Sequence, residues 1–215
     1  MKIAIIGASG FVGSKLVNEA INRDFEVTAI ARNIDKITND NISKKSVDVN
    51  NVDQLSDALK DHDVVISAFN AGWTNPNLYD DFLEGSKAIQ KAVKQAEVPR
   101  LIVVGGAGSL YDNENQQLVD SPDFPADIKP GATAARDYYN ILKEENELDW
   151  AFFSPAIEMH PGVTDGRTGK YRLGKDNPVF DDNKVSKISP EDVAVVLIDE
   201  IEKPKHHKVR FTAGY

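Results

Sequence analysis

Three glycines near the start of the chain have the spacing of a phosphate-binding loop. Gly7, Gly10 and Gly13 follow a short apolar run at 2–6. The first glycine permits a tight turn off a strand, the second lets the backbone approach a phosphate, and the third lets the next helix pack closely. That helix begins with free N–H groups and the positive end of its dipole, which attract an anion. The pattern predicts a dinucleotide-binding loop, with a ligand-free glycine turn as the alternative. The predicted contacts are Gly7, Ala8, Ser9, Gly10, Phe11 and Val12.

The residue that follows the second predicted strand indicates which dinucleotide is preferred. Strand 26–31 is followed by Arg32, at the position where NAD-selective sites usually have an acid that binds the ribose 2′-hydroxyl. An arginine fork suits a 2′-phosphate, whereas a carboxylate would repel it. Arg32 therefore predicts NADP(H) in preference to NAD(H). The alternative is a solvent-facing arginine at a strand end.

The elements that must position these residues alternate between strands and helices along all 215 residues. The predicted strands are 2–6, 26–31, 43–49, 63–69, 100–104, 149–153 and 208–212. The predicted helices are a first one after the glycine loop and then 51–60, 79–96, 131–146 and a last one from 189 to about 204. This alternation predicts an α/β fold, a three-layer doubly wound parallel sheet of the Rossmann type.

No linker or repeat divides the chain, so we expect one domain over 1–215. Its substrate-side loops are predicted at 106–130 and 156–188, with one hairpin within 162–187.

The composition excludes several kinds of site. The chain has no cysteine, so it has no disulfide or thiolate site. Its net charge is −9 and its basic residues are scattered, which disfavours nucleic-acid binding. No apolar run approaches the ~20 residues of a membrane span, and no His/Asp/Glu spacing suggests a metal site. We expect a cytoplasmic protein with a small-molecule partner and neither a nucleic-acid nor a membrane partner. A homodimer is compatible with the sequence, which does not define the oligomeric state.

Four segments of the chain resemble one family. The glycine loop and three later segments are similar to those of atypical short-chain dehydrogenases/reductases, in particular the NmrA-like and biliverdin reductase B-like NAD(P)H-flavin reductases. The resemblance covers essentially the whole chain. The later segments are Val104-Gly105-Gly106-Ala107-Gly108-Ser109, Ser154-Pro155-Ala156 and Arg210-Phe211-Thr212-Ala213-Gly214-Tyr215.

The resemblance assigns roles to further residues at strand ends, where ligands bind in open α/β sheets. It implies that Asp48 and Val49 lie along the adenine, although Asp48 could instead cap the helix at 51–60. Three residues after the fourth strand would border the adenine ribose and pyrophosphate, and two groups would lie beside the nicotinamide. The residues after the fourth strand are Ala68, Phe69 and Asn70; those near the nicotinamide are Gly105, Gly106 and Ala107, together with Pro155 and Ala156.

Two side chains are candidates for direct chemistry. Ser109 follows the glycines after the fifth strand and could hydrogen-bond a substrate, or simply its own loop. His160 follows the sixth strand, and an imidazole is the side chain best suited to proton transfer near neutral pH. A single histidine more often has a structural role.

A Tyr-x-x-x-Lys pair, which many members of the superfamily use as acid and base, also occurs in the chain. Tyr139 and Lys143 match its spacing. With the helix beginning near Gly131, however, Tyr139 would lie roughly 12 Å down the helix at about 1.5 Å per residue, away from the reacting edge of the sheet. We therefore predict a packed aromatic residue rather than a catalytic acid.

These features predict a reductase that transfers a hydride from NADPH to a small aromatic acceptor such as a flavin or a quinone. Such an acceptor needs little acid help from the protein. Two alternatives are a non-catalytic NADP(H)-binding redox sensor of the NmrA type and a sugar-nucleotide epimerase-like enzyme.

Overall fold

A single eight-stranded sheet runs through the structure, a computed structural model that describes residues 1–215. The strands lie in the order β3-β2-β1-β4-β5-β6-β8-β7. They are β1 (Lys2–Ile6), β2 (Glu26–Ala31), β3 (Ser43–Ser46), β4 (Val64–Ser67), β5 (Arg100–Val104), β6 (Asp149–Pro155), β7 (Arg172–Gly174) and β8 (Val209–Gly214). The helices are α1 (Phe11–Asn22), α2 (Val52–Leu59), α3 (Leu78–Gln95), α4 (Lys129–Leu142) and α5 (Pro190–Glu202).

The predicted doubly wound topology is confirmed. Every strand pair is parallel except β7 with β8. From β1 the chain moves outward to β2 and β3 and then returns to β4 on the other side of β1. This reversal creates a crevice at the carboxyl ends of β1 and β4, which is where ligands bind in open α/β sheets.

Helices cover both faces of the sheet and bury two apolar clusters. On one face α1 and α5 pack over residues such as Ile3, Ile5 and Phe211. On the other face α2, α3 and α4 pack over residues such as Ile6 and Phe152. The central strands are buried on both faces, which explains why their sequences are continuous apolar runs. None of the five helices combines the length and apolar character needed to cross a membrane.

The bounds of several predicted elements differ in the structure. The third strand ends at Ser46 rather than at residue 49, the fourth spans Val64–Ser67 rather than 63–69, and the sixth continues to Pro155. Helix α4 spans Lys129–Leu142 rather than 131–146. It begins before residue 131 because Pro130 is compatible with the first turn, where a backbone N–H has no helical partner.

The predicted hairpin within 162–187 is wrong. The only strand in that segment is β7, which pairs antiparallel with β8 rather than with a neighbouring strand of its own loop. The outer edge of β8 would otherwise present unpaired backbone groups, and the short β7 satisfies them.

Candidate coenzyme site

The glycine loop has a geometry that side chains would prevent. Gly7 has φ +79°, and a Cβ atom there would lie 2.4 Å from the Ala68 carbonyl oxygen. A Cβ atom on Gly13 would lie 2.1 Å from the Gly7 carbonyl oxygen. Close approach of the loop to both β4 and α1 therefore requires glycine at these two positions.

Backbone hydrogen bonds hold the loop against β2. The N–H groups of Gly7 and Ala8 both donate to the Ile30 carbonyl, at 2.9 and 3.2 Å. The Gly10 N–H donates to the Gly7 carbonyl at 2.9 Å, which closes the turn. The loop is thus fixed by main-chain groups alone.

The start of α1 is left free to bind an anion. The N–H groups of Phe11, Val12 and Gly13 donate to no protein acceptor. Gly10 occupies the N-cap without a side-chain hydrogen bond, and no acid lies in the first turn. Unpaired donors at the positive end of a helix, with no competing carboxylate, suit a pyrophosphate group.

Arg32 lies at the end of β2 with an unpaired guanidinium. Its side chain is exposed and forms no ion pair, while its carbonyl accepts a 2.8 Å hydrogen bond from the Ser46 hydroxyl. That bond fixes the backbone at the residue and leaves the side chain free. Because β2 neighbours β1, Arg32 lies on the same edge of the sheet as the glycine loop.

Asp48 and Val49 follow β3 and have different environments. Asp48 is exposed, and its carboxylate accepts a 2.9 Å hydrogen bond from the Asn50 N–H. It does not cap α2, because Asn51 takes that position and accepts from the Gln54 N–H at 3.1 Å. Val49 is buried in the cluster beneath α2 and α3.

The residues after β4 form the other side of the crevice. The Ala68 N–H donates to the Ile6 carbonyl at 2.9 Å, which brings this segment beside the glycine loop. The Phe69 ring stacks on Phe82 at 5.9 Å between centroids. The Asn70 carboxamide accepts a 2.7 Å hydrogen bond from the Gly72 N–H, so it shapes the following turn.

The two glycines after β5 differ in their surroundings. A Cβ atom on Gly105 would lie 2.2 Å from the Phe152 ring, whereas one on Gly106 would meet nothing closer than 3.9 Å. Gly105 is therefore needed for packing, whereas at Gly106, which is partly buried, a Cβ atom would only reach ordinary contact with Ala135. Ala107 then begins a short 3₁₀ turn, Ala107–Ser109. Pro155 ends the adjacent strand β6 and Ala156 follows it, and both residues are buried.

Ser109 is enclosed. Its side chain is fully buried, and its hydroxyl forms hydrogen bonds with the Gly106 carbonyl at 3.0 Å and the Ser154 hydroxyl at 2.9 Å. Both contacts are internal to the loop and to β6, so a contact with substrate stays a prediction. His160 is exposed, and its Nδ1 accepts a 3.1 Å hydrogen bond from the Gly162 N–H within a tight turn.

Tyr139 packs on the sheet. Its ring centroid lies 4.9 Å from that of Phe152 and 6.3 Å from that of Trp150. Burial raises the pKa of the Tyr139 hydroxyl, although nearby Arg210 opposes the rise. A catalytic tyrosine of this superfamily needs a lowered pKa, so the environment of Tyr139 is the opposite of the one required.

Sequence reasoning missed the two side chains that hold the loop after β5. The guanidinium of Arg210 and the carboxamide of Gln117 both donate to the Ser109 carbonyl oxygen, Gln117 at 3.1 Å. Arg210 stands in the ending motif on which the family resemblance rests, but nothing in its neighbours indicated a buried cation. No pattern in the sequence marks Gln117.

A parallel sheet with a free helix N-terminus at its switch point defines a nucleotide-binding α/β protein. The chain belongs to the NAD(P)H-binding family, whose model matches residues 7–204. The matched segment begins at the first glycine of the loop and includes all five helices and the strands from β2 to β7.

The relatives extend over the whole chain. An uncharacterized protein of Bacillus subtilis, YwnB, is 37% identical over 99% of this chain and 97% of its own length. A Bacteroides thetaiotaomicron structure, provisionally assigned as an epimerase, is 49% identical with a TM-score of 0.90, over 100% of this chain and 96% of its own. A Streptococcus pneumoniae structure, provisionally assigned as an NADH-flavin reductase, is 36% identical with a TM-score of 0.88, over 100% of this chain and 99% of its own.

Proposed function

We propose that the protein is an NADPH-dependent reductase that transfers a hydride to a small aromatic acceptor such as a flavin or a quinone. The observation that carries the proposal is the anion site at the start of α1, where three backbone N–H groups lack acceptors and no acid competes. Membership of the NAD(P)H-binding family supports it. So does the similarity to the Streptococcus pneumoniae protein.

Each part of the crevice has a role in this proposal. The N–H groups at the start of α1 bind the pyrophosphate, and the unpaired guanidinium of Arg32 binds the ribose 2′-phosphate. Asp48 and Val49 lie along the adenine. The segments 68–70, 105–107 and 155–156 enclose the two ribose groups and the nicotinamide.

The chemistry follows from which groups the site lacks. NADPH, when bound, supplies the hydride. The protein positions the nicotinamide beside the bare backbone of Gly106 and excludes water from one side. The Ser109 hydroxyl is enclosed and the Tyr139 ring packs on Phe152, so neither hydroxyl is set to donate a proton to a bound acceptor. An acceptor that takes a hydride with little acid help, such as an oxidised flavin, suits this arrangement.

The same observation favours a second candidate, a non-catalytic NADP(H) sensor, because sensing requires the coenzyme site and no proton donor. An epimerase is less well supported. Although the Bacteroides thetaiotaomicron relative is provisionally assigned as one, a catalytic Tyr/Lys pair would be expected at the reacting edge of the sheet, and Tyr139 instead packs on Phe152.

Calorimetric titration with NADPH and NADH tests the coenzyme assignment. We expect the Arg32→Asp change to weaken NADPH binding at least tenfold more than NADH binding, since a carboxylate repels the 2′-phosphate. Lys91→Glu is the control. Lys91 is exposed on α3 and forms no ion pair, so this change also reverses a positive charge, but away from the crevice. Equal losses for both coenzymes would refute the 2′-phosphate role. No binding of either coenzyme to the unmodified protein would refute the proposed function.

Oxidation of NADPH in the presence of FMN or menadione separates the reductase from the sensor. The reductase requires turnover that rises with acceptor concentration and saturates. Tight coenzyme binding without turnover by any flavin or quinone would leave the sensor as the function.

A further inference from the structure

We propose that Arg210 is a positioning residue for the nicotinamide half of the coenzyme, acting through the carbonyl of Ser109. The inference rests on the proposed function, because it requires the loop after β5 to contact the nicotinamide. It adds a residue on β8, the last strand along the chain, to a site otherwise built from the segments that follow β1 to β6.

Arg210 is an almost fully buried cation with a single carboxylate partner. The residue is 4% exposed, and its guanidinium donates to Asp176 from Nε at 3.1 Å and also from Nη2. A buried charge is costly unless it is paired and hydrogen-bonded. For stability alone, an apolar residue at position 210 would avoid the cost of burying a charge.

Two aromatic rings complete the surroundings of the guanidinium. Its central carbon lies 5.2 Å from the ring centroid of Tyr111 and 5.0 Å from that of Tyr139. Attraction between a cation and aromatic faces adds to the ion pair and restricts how the side chain can rotate. Tyr139, which matches a catalytic motif in sequence, thus packs its ring against the Arg210 guanidinium in the structure.

The third nitrogen of the Arg210 guanidinium, Nη1, is directed at the loop after β5. Nη1 donates to the Ser109 carbonyl oxygen, which also accepts from Gln117 at 3.1 Å. The Ser109 N–H donates to the Gly106 carbonyl at 3.3 Å, and its hydroxyl donates to the same carbonyl at 3.0 Å. The chain of contacts runs from Arg210 through Ser109 to the backbone of Gly106, which is partly exposed.

The same arginine joins two loops that are far apart in the sequence. The Asp176 carbonyl accepts from the Tyr111 N–H at 2.8 Å, and the Asn177 carboxamide donates to the Tyr111 carbonyl at 3.0 Å. A glycine-rich loop has much conformational freedom to lose when it binds a ligand. Fixing this loop in advance removes that cost from coenzyme binding, as preorganisation does generally.

The test compares two ligands that differ only in the nicotinamide, NADPH and 2′-phospho-ADP-ribose, by calorimetry. For Arg210→Met we expect five- to tenfold weaker NADPH binding, with 2′-phospho-ADP-ribose binding unchanged within twofold. The fluorescence of bound NADPH should also fall toward that of free NADPH, since a mobile loop admits water. Arg210→Lys should recover part of both effects because it keeps a cationic donor.

Arg100→Met is the matched control. Arg100 is also buried, at 6% exposed, and is paired with Asp149 and Glu200. It is the first residue of β5, so it lies at the amino ends of the strands, away from the crevice. The Arg100→Met change should lower thermal stability without changing the ratio of the affinity for NADPH to that for 2′-phospho-ADP-ribose. Should Arg210→Met fail to fold, Gln117→Leu and Asp176→Asn act on the same contacts from more exposed positions, and each should change the ratio in the same direction by two- to threefold.

An unchanged affinity ratio in the Arg210 and Gln117 variants would overturn the proposal, as would a parallel loss for both ligands. Failure of the unmodified protein to bind either ligand would instead overturn the proposed function, and the positioning role with it. The two failures are therefore distinguishable in one set of titrations.

Discussion

The two adjacent glycines after β5 have different surroundings although they are the same residue type. The space for a side chain at Gly105 is filled by the Phe152 ring, whereas a Cβ atom at Gly106 would come no closer than 3.9 Å to its neighbour Ala135. Gly106 also has an ordinary extended backbone, with φ −141°, which any residue can adopt. A glycine that neither packing nor backbone conformation requires is consistent with close approach of a ligand.

Alanine substitutions should separate the two glycines. Gly105→Ala should destabilise the protein by roughly 1–3 kcal/mol through overpacking against Phe152. Gly106→Ala should change stability by less than about 0.5 kcal/mol, as for an unconstrained surface site, yet weaken NADPH binding at least tenfold. Urea unfolding and coenzyme titration of both variants measure the contrast. Normal NADPH affinity in Gly106→Ala would contradict the placement of the nicotinamide.

At the scale of elements, the start of α5 ties the segment before it to the helix. The Ser189 hydroxyl accepts from the Asp192 N–H at 3.0 Å and donates to the Gly166 carbonyl at 2.6 Å. The buried Asp192 carboxylate accepts from the N–H groups of Thr168 and Gly169 at 3.2 and 2.8 Å. The start of α5 therefore fixes part of the loop 156–188, which was predicted to lie on the substrate side.

Removing this cap should loosen that loop. Ser189→Ala should lower the free energy of unfolding by about 1–2 kcal/mol, because it removes an N-cap and also leaves the Gly166 carbonyl without its donor. Amide exchange at Thr168 and Gly169 should accelerate. Asn51→Ala is the comparison, since Asn51 caps α2 through a single exposed hydrogen bond. Equal amide exchange at Thr168 and Gly169 in both variants would show that the loop does not depend on the cap.

Elements with strong local signals were predictable from the sequence. The runs that became β1 and β5, and the Ser-Pro-Glu-Asp start of α5, needed no information from distant residues. The pairing of β7 was not predictable, because its partner β8 lies beyond α5 and pairing depends on the free sheet edge. The contacts of Arg210 were not predictable for the same reason, since Asp176 and Ser109 come close to it only in the folded protein.

At the scale of the whole molecule, three acids with lowered pKa values join distant parts of the chain. Glu19 contacts Arg167, Glu200 contacts Arg100, and Glu145 contacts Gln90 and Lys94. Burial alone would raise the pKa of the Glu145 carboxyl, but hydrogen bonds from the Glu147 backbone, Gln90 and Lys94 lower it to about 2. A lowered pKa in the folded state makes each contact a source of pH-dependent stability.

Acid should therefore destabilise the fold, in part through Glu145. Its contribution is fully present above about pH 4.5, its ordinary pKa, and is lost as the pH falls toward 2. Glu145→Gln should cost roughly 2 kcal/mol at pH 7 and should flatten the fall in unfolding free energy below pH 4.5. Glu144→Gln, an exposed neighbour, should follow the unmodified protein. Parallel pH profiles for all three proteins in urea unfolding would refute this account.

The two bonds to the Ile30 carbonyl have a consequence for protein engineering. Because the glycine loop rests on the main chain of β2, no side chain beyond Ala31 is needed to hold it. In the proposed function, pyrophosphate binding and 2′-phosphate discrimination are therefore carried by separate groups on neighbouring strands. Exchange of the residue at position 32 should then retune which redox pool the protein draws on, while the loop proposed to bind the shared part of both coenzymes is left intact.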